Sequence, residues 1–175
     1  EATNPLLARF GLKMEDGILA QPIGDFTPDF ILSCFSNQTG EFSEYNEYNY
    51  QVSMPECVAL NTLEKTNGFT CIPLLETRKD DAWIELETDD LKENEVVCNE
   101  VAGEKKQRYV TAYLAERKVN DKKQRIIVCG DADCLSNAEI YMQRDGYRSG
   151  NSALIAEGFH WLTDGKFPVD VTKDD

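Results

Sequence analysis

Helical spacing of apolar residues is confined to the two ends of the chain. Residues 4–11 place their apolar side chains on one face, with Asn4 suited to cap a helix and Gly11 to end it. Residues 151–162 also predict a helix, capped by Asn151 and packed on a core. Its predicted core-facing stripe consists of Leu154, Ile155, Phe159 and Leu162.

Between these ends, the apolar pattern is mostly that of strands. Residues 36–55 are polar and aromatic and predict a long surface loop or a ragged edge of the sheet, whereas the charged residues 89–95 predict a helical turn. Residues 119–123 predict a polar turn. The segment after it, 125–129, is continuously apolar from Ile126 onward, which predicts a strand buried on both faces. The predicted strands are residues 18–20, 29–35, 58–63, 69–75, 82–87, 109–115 and 125–129, with the turn Asn67-Gly68 joining the third to the fourth.

This order of elements predicts one α/β domain over residues 1–175, with a strand-rich mixed sheet and few helices. The chain opens directly on a helix start, without an initiating Met or a signal peptide. We therefore expect it to be a fragment of a larger protein. No apolar run approaches the roughly 20 residues that a membrane-spanning helix needs.

Charge narrows the classes of partner. The chain has 18 basic and 32 acidic residues and a net charge of -14. This charge repels phosphates and anionic membrane surfaces, so nucleic-acid binding is not expected. Cationic partners and divalent cations remain possible on charge alone.

Six cysteines leave two interpretations open. An even number permits a fully paired set of disulfides, whose connectivity sequence cannot choose. Several cysteines lie within apolar runs, where a free thiol behaves as a small buried hydrophobe, and no Cys-x-x-Cys occurs. Mostly buried free thiols are the favoured interpretation for Cys34, Cys57, Cys71, Cys98, Cys129 and Cys134.

The loop at residues 130–137 is the best candidate for a ligand site, because ligands of open α/β sheets bind at the carboxyl ends of strands. Asp131 and Asp133 offer oxygen ligands for a divalent cation. Leu135 stands where an EF-hand needs a further oxygen ligand, and it also weakens a phosphatase of the strand-then-Asp-x-Asp type. The favoured interpretation is that Asp131 and Asn137 bond the backbone of a tight loop and cap the segment after it.

Other candidates for chemistry are weaker. His160 is the only histidine and is predicted to face solvent, opposite the apolar stripe, which argues against a His-based triad. Cys129 or Cys134 is a conceivable nucleophile, but no basic residue lies beside the loop in sequence to activate it. The tyrosines within residues 45–50 suit stacking on a sugar or peptide, although a solvated loop is favoured. We predict no catalytic residues, no metal and no cofactor.

Two segments resemble the gliding-motility-type ABC transport auxiliary proteins. Residues 125–137 read Arg-Ile-Ile-Val-Cys-Gly-Asp-Ala-Asp-Cys-Leu-Ser-Asn, and Gly150-Asn151 then opens a helix that closes in Trp161-Leu162. These runs are similar to that family's strand ending in Gly-Asp-(Ser/Ala)-Asp-Phe and its Gly-Asn helix closing in Asn-Trp-Leu. The similarity spans residues 105–169, with a weaker match over 4–20.

The match has departures as well as implications. Cys134 replaces the usual aromatic residue, His160 replaces an Asn, and Ala20-Gln21 stands where an Asp is expected. The resemblance implies a fold similar to class I glutamine amidotransferases without their catalytic set. It also implies a periplasmic, extracytoplasmic location in a membrane-anchored parent, with transporter membrane subunits or other envelope proteins as partners.

The function predicted on this basis is non-catalytic binding of a partner or cargo by an accessory or permease protein of an ABC-type transporter. The alternative is a metal-assisted or amidotransferase-like hydrolase that uses the loop of Asp131 and Asp133. The candidate ligand-binding residues are Asp131, Asp133, Asn137 and Asn151.

Overall fold

The computed structural model describes residues 3–78, 80–87, 91 and 96–166. The helical turn predicted at 89–95 lies outside these residues except at position 91. The strands in the described part are β1 Leu12–Met14, β2 Ile18–Ala20, β3 Phe30–Phe35, β4 Tyr50–Pro55, β5 Leu60–Thr62, β6 Thr70–Thr77, β7 Trp83–Glu85, β8 Val110–Val119, β9 Lys122–Cys129 and β10 Arg148–Ser149. The α-helices there are α1 Thr3–Leu7, α2 Ser43–Glu47, α3 Asn137–Tyr141 and α4 Asn151–Leu162.

One mixed sheet dominates the molecule. Its strand order is β1-β5-β8-β6-β3-β4-β10, and β9 pairs with β8 as well. Neighbours are antiparallel except for β10, which runs parallel to β4. Strands β2 and β7 form a separate antiparallel pair. The predicted α/β class, with a strand-rich mixed sheet and few helices, is confirmed.

Strand β8 separates two hydrophobic cores because its side chains alternate between the faces of the sheet. Ala112 and Leu114 contribute to the core that α4 covers through Leu154. Tyr113 and Ala115 contribute to the other core, which includes Leu7 of α1. The two terminal helices therefore cover opposite faces of the same strand.

The β8–β9 hairpin carries the candidate loop at its far end. Its register runs from Val119 opposite Lys122 to Ala112 opposite Cys129. The predicted polar turn is present, with positive φ at Asn120 and Asp121. Burial of β9 on both faces was a wrong prediction. This strand pairs with β8 alone among the described strands, and residues 125–127 are only half-buried.

The predicted surface loop or ragged edge at 36–55 is wrong from residue 43 onward. That part contains α2 and then β4, an interior strand between β3 and β10 whose residues 51–54 are all buried. Residues 50–54 alternate apolar and polar side chains, the pattern of a strand with one buried face, so the burial of Gln51 and Ser53 is not indicated by the pattern. Ser53 tolerates burial because it bonds partners far along the chain, which sequence spacing does not indicate.

Two further elements differ from prediction. Asn67-Gly68 does form a turn with positive φ at both residues, but β5 and β6 do not pair with each other. They lie on opposite sides of β8 instead. Asn4 lies inside α1 rather than capping it, and its side chain bonds both backbone groups of Met14, with Oδ1 accepting at 2.7 Å.

Candidate functional site

The candidate loop leaves β9 at Gly130, where another segment crosses it closely. The Gly130 amide donates to Thr111, and its carbonyl accepts from the Val58 amide at 3.0 Å. A Cβ built on Gly130 would lie 2.0 Å from the Val58 carbonyl oxygen. Glycine is therefore required here by the crossing of two backbones.

Asp131 closes the loop as the favoured interpretation predicts. One carboxylate oxygen accepts from the Asp133 amide at 2.8 Å, and the other accepts from the Cys134 amide at 2.9 Å. Burial raises the pKa of Asp131, and these two hydrogen bonds oppose the increase. The Asp133 side chain is exposed beside it.

Asn137 does not cap α3, which corrects the prediction. The cap is Ser136, whose hydroxyl accepts from the Glu139 amide at 3.2 Å. This is one half of a Ser-x-x-Glu capping box; the Glu139 carboxylate bonds Ser53 and Arg144 instead of the Ser136 amide. Asn137 is exposed at the first helical position. Its side chain is thus directed away from the buried part of the loop.

Asn151 does not cap α4 either, because Gly150 occupies the N-cap position. Asn151 is fully buried, and its amide donates to the carbonyls of Cys134 at 2.9 Å and Ser53 at 3.1 Å. Its side-chain oxygen accepts from the Ser53 amide. Asp131 and Asn151 therefore meet at Cys134, one holding its N–H and the other its carbonyl.

A buried ion pair beside Asn151 was missed in the sequence. Arg144 forms a bidentate pair with Glu139, with distances of 2.6 and 2.7 Å, and the Ser53 hydroxyl donates to the same carboxylate. The Arg144 guanidinium lowers the pKa of Glu139. Arg144 also stacks on Phe30, with 4.6 Å from Cζ to the ring centroid. Five-residue spacing matches no helical pairing rule, so the capping box was the one available signal.

An apolar groove of about 440 Å³ lies between α4, β9 and the loop. The predicted core stripe of α4 splits along it. Leu154 is buried, whereas Phe159 is 52% exposed and Leu162 is 39% exposed, so the prediction is wrong for these two. The groove is lined by Met14, Ile127, Cys129, Leu135, Leu154, Ile155, Phe159 and Leu162, with Asp131 at the loop side.

The sheet-facing side of α4 is built from residues that the stripe did not include. Gly158 lets the helix approach β9, since a Cβ there would lie 3.2 Å from Ile127 Cδ1. Trp161 packs under the Arg125 guanidinium at 4.8 Å. His160 is half-buried, which corrects the solvent-facing prediction.

All six cysteines are free thiols; Cys57 and Cys134 are buried, and the other four are half-buried. Within the described ranges, no group of three or more His, Cys, Asp or Glu side chains is arranged to hold a metal ion. No helix in that part of the chain is both long and apolar enough to cross a membrane.

Comparisons with protein-family models, curated proteins and solved structures found no match to this chain.

Proposed function

We propose that this chain is a non-catalytic binding domain whose groove beside α4 holds an apolar, positively charged segment of a partner protein. The observation that carries this proposal is the groove itself, with Leu135, Phe159 and Leu162 partly exposed around it. Large apolar side chains gathered at one concavity are typical of a binding site, whereas singly scattered ones are ordinary surface.

Charge supports the choice of a cationic segment. The net charge of -14 attracts basic partners over long range. Asp131 is half-buried and lines the groove, and Asp133, two residues further along the same loop, is exposed. Because Asp131 already accepts two backbone amides, Asp133 is the carboxylate with room for a partner's Lys or Arg. Such complementarity contributes to association rate and specificity more than to affinity.

Engagement of the polar groups supports a non-catalytic role. Both Asp131 oxygens accept backbone N–H groups, and Asn151 bonds Ser53 and Cys134 beneath the loop. These contacts position backbone and leave the two side chains little freedom to hold a substrate. The competing proposal is a metal-assisted or amidotransferase-like hydrolase using Asp131 and Asp133.

The resemblance to ABC transport auxiliary proteins supplies the proposed setting. In that setting the domain lies on the periplasmic side of the membrane, in a membrane-anchored parent, and its partners are transporter membrane subunits or other envelope proteins. Membrane-spanning segments elsewhere in the parent protein are expected. A parent without them would contradict the location while leaving the groove proposal standing.

The binding test uses a fluorescently labelled amphipathic peptide of leucine and lysine, with a leucine–glutamate peptide as the charge control. We expect saturable binding of the first peptide and a loss of affinity of about tenfold or more in Phe159→Asp. The matched variant Val101→Asp changes a fully exposed apolar residue away from the groove and should bind as the parent does. Equal peptide binding by Phe159→Asp and the unsubstituted chain would contradict the proposal that the groove is the binding site.

A metal titration separates binding from hydrolysis. A specific ligand raises the melting temperature through mass action, so calcium, magnesium and manganese are each added while unfolding is followed. We expect no rise at millimolar metal. A rise that disappears in Asp133→Asn would instead favour the hydrolase.

A further inference from the structure

Three of the six thiols lie at the groove or in the core behind it. Cys57 and Cys134 are buried in one hydrophobic core, and Cys129, which lines the groove, packs against that core. The Cys57 sulfur lies 3.0 Å from the position that a Cβ on Gly130 would occupy. Chain segments far apart in sequence thus place their sulfurs around one backbone turn.

These thiols differ in their access to solvent. Cys129 is half-buried and lines the groove, whereas Cys57 and Cys134 have no exposed surface. Burial raises the pKa of Cys57 well above its ordinary value, which keeps that thiol protonated. A small reagent entering the groove therefore meets Cys129 first.

The loop holds Cys134 against Cys129. Asp131 fixes the Cys134 amide and Asn151 fixes its carbonyl, each at 2.9 Å, so the chain turns back on the end of β9. The Cys134 thiol donates to the Asp131 carbonyl at 3.2 Å. Its side chain also lies beside that of Cys129, and this contact lowers the pKa of Cys129 and raises that of Cys134.

We propose that Cys129 and Cys134 are a redox-active thiol pair that exchanges with small disulfides of the glutathione class, with Cys129 attacking and Cys134 resolving. This role goes beyond the proposed binding of a partner segment, because it requires only access to the groove. The thiolate is the reactive form of cysteine, and the accessible thiol is the one whose thiolate is stabilised.

The exchange proceeds in two steps. The Cys129 thiolate attacks one sulfur of the small disulfide, forming a mixed disulfide and releasing one small thiolate. Cys134 then loses its proton and attacks the Cys129 sulfur, forming the Cys129–Cys134 disulfide and releasing the second small thiolate. The two protons from the protein thiols end on the released thiolates, so the protein is oxidised by two electrons and the small disulfide is reduced by two.

The test equilibrates the whole chain with mixtures of reduced and oxidised glutathione. Samples are quenched in acid, alkylated in denaturant and digested with trypsin. Both cysteines fall in the single tryptic peptide 126–144, because Arg125 and Arg144 flank it and no Lys or Arg lies between. We expect this peptide to lose both alkylation sites and to weigh two hydrogen atoms less than the reduced peptide. Cys34 and Cys71, whose pKa values are raised by burial, should remain alkylated under the same mixtures.

Two variants test the order of attack, with far-UV circular dichroism verifying that each is folded. Cys134→Ser should accumulate glutathione on Cys129, because the resolving thiol is absent. Cys129→Ser should leave Cys134 free of glutathione, because Cys134 is buried. Full alkylation of both thiols in the unsubstituted chain, at every ratio of reduced to oxidised glutathione, would overturn the proposal of a redox-active pair. Glutathione on Cys134 in Cys129→Ser would overturn the assigned order.

Discussion

The two ends of α4 reverse the usual arrangement of polar and apolar side chains. At its N-terminal end, Asn151 and Glu139 are buried, both accept from the Ser53 hydroxyl, and Glu139 pairs with the half-buried Arg144. Toward its C-terminal end, Phe159 and Leu162 remain partly exposed along the groove. Most proteins bury the second kind of side chain and expose the first.

This reversal separates structural roles from binding roles. A buried polar network whose members are bonded fixes one backbone arrangement, here that of the loop and the start of α4. An open apolar surface has no such internal use, so its retention at a concavity indicates a partner. Two of the four polar residues that sequence alone made candidates for a ligand, Asp131 and Asn151, therefore hold the scaffold. Two residues assigned to the core, Phe159 and Leu162, line the groove.

The largest effect on stability is expected at Gly130, where the neighbouring backbone leaves no room for a side chain. Gly130→Ala places a Cβ against the Val58 carbonyl, which is backbone and cannot rotate away. We expect a loss of about 4 kcal/mol in the free energy of unfolding, measured by urea denaturation. Gly158→Ala is the control, because its Cβ meets only the flexible end of Ile127. Equal losses in the two variants would show that the backbone crossing is not the constraint.

Removing one partner of the buried ion pair is expected to have the next largest effect. Glu139→Ala leaves the Arg144 guanidinium without its carboxylate, at a cost of about 3 kcal/mol in unfolding free energy. Asn137→Ala changes an exposed residue of the same short helix and should alter stability by less than about 0.5 kcal/mol. Similar unfolding free energies of the two variants would show that the ion pair does not stabilise the fold.

The features that could be predicted from the sequence are those held by interactions between residues close together in the chain. Local signals worked: the turn at Asn120-Asp121 and the backbone role of Asp131 need only neighbouring residues. The burial of the polar positions of β4 was not predicted, because Ser53 is buried through bonds to Glu139 and Asn151, almost a hundred residues away. No local pattern encodes such partners.

The exposure of side chains along the groove was not predicted, for a different reason. Helical spacing identifies which side chains share a face, but it does not say how far a neighbouring sheet extends beneath that face. Gly158 lets α4 pack closely on β9, and Phe159, the next residue on the helix, is 52% exposed. The apolar stripe correctly indicates a shared face, but only part of that face is core.

A pH titration tests whether the ion pair at the polar end of α4 stabilises the fold. Arg144 lowers the pKa of Glu139 in the folded chain, so this pair stabilises the fold fully above the unfolded pKa of about 4.3. That contribution is lost as pH falls through the lowered folded value. The stability difference between the parent and Glu139→Gln, measured by urea unfolding, should therefore shrink as pH decreases from 7 to about 3. A difference that stays constant over this range would contradict the linkage.

The smallest effect on stability is expected at the groove, where the apolar side chains of α4 are partly exposed. Phe159 is about half exposed, so Phe159→Asp removes little buried area and should change the unfolding free energy by less than about 1 kcal/mol. Leu154→Ala, on the same helix but fully within the core, should cost about 3 kcal/mol. If Phe159→Asp destabilises the chain as much as Leu154→Ala does, the C-terminal half of α4 is core after all. If it leaves stability intact and removes peptide binding, the exposed apolar side chain is retained for a partner, because the fold does not need it.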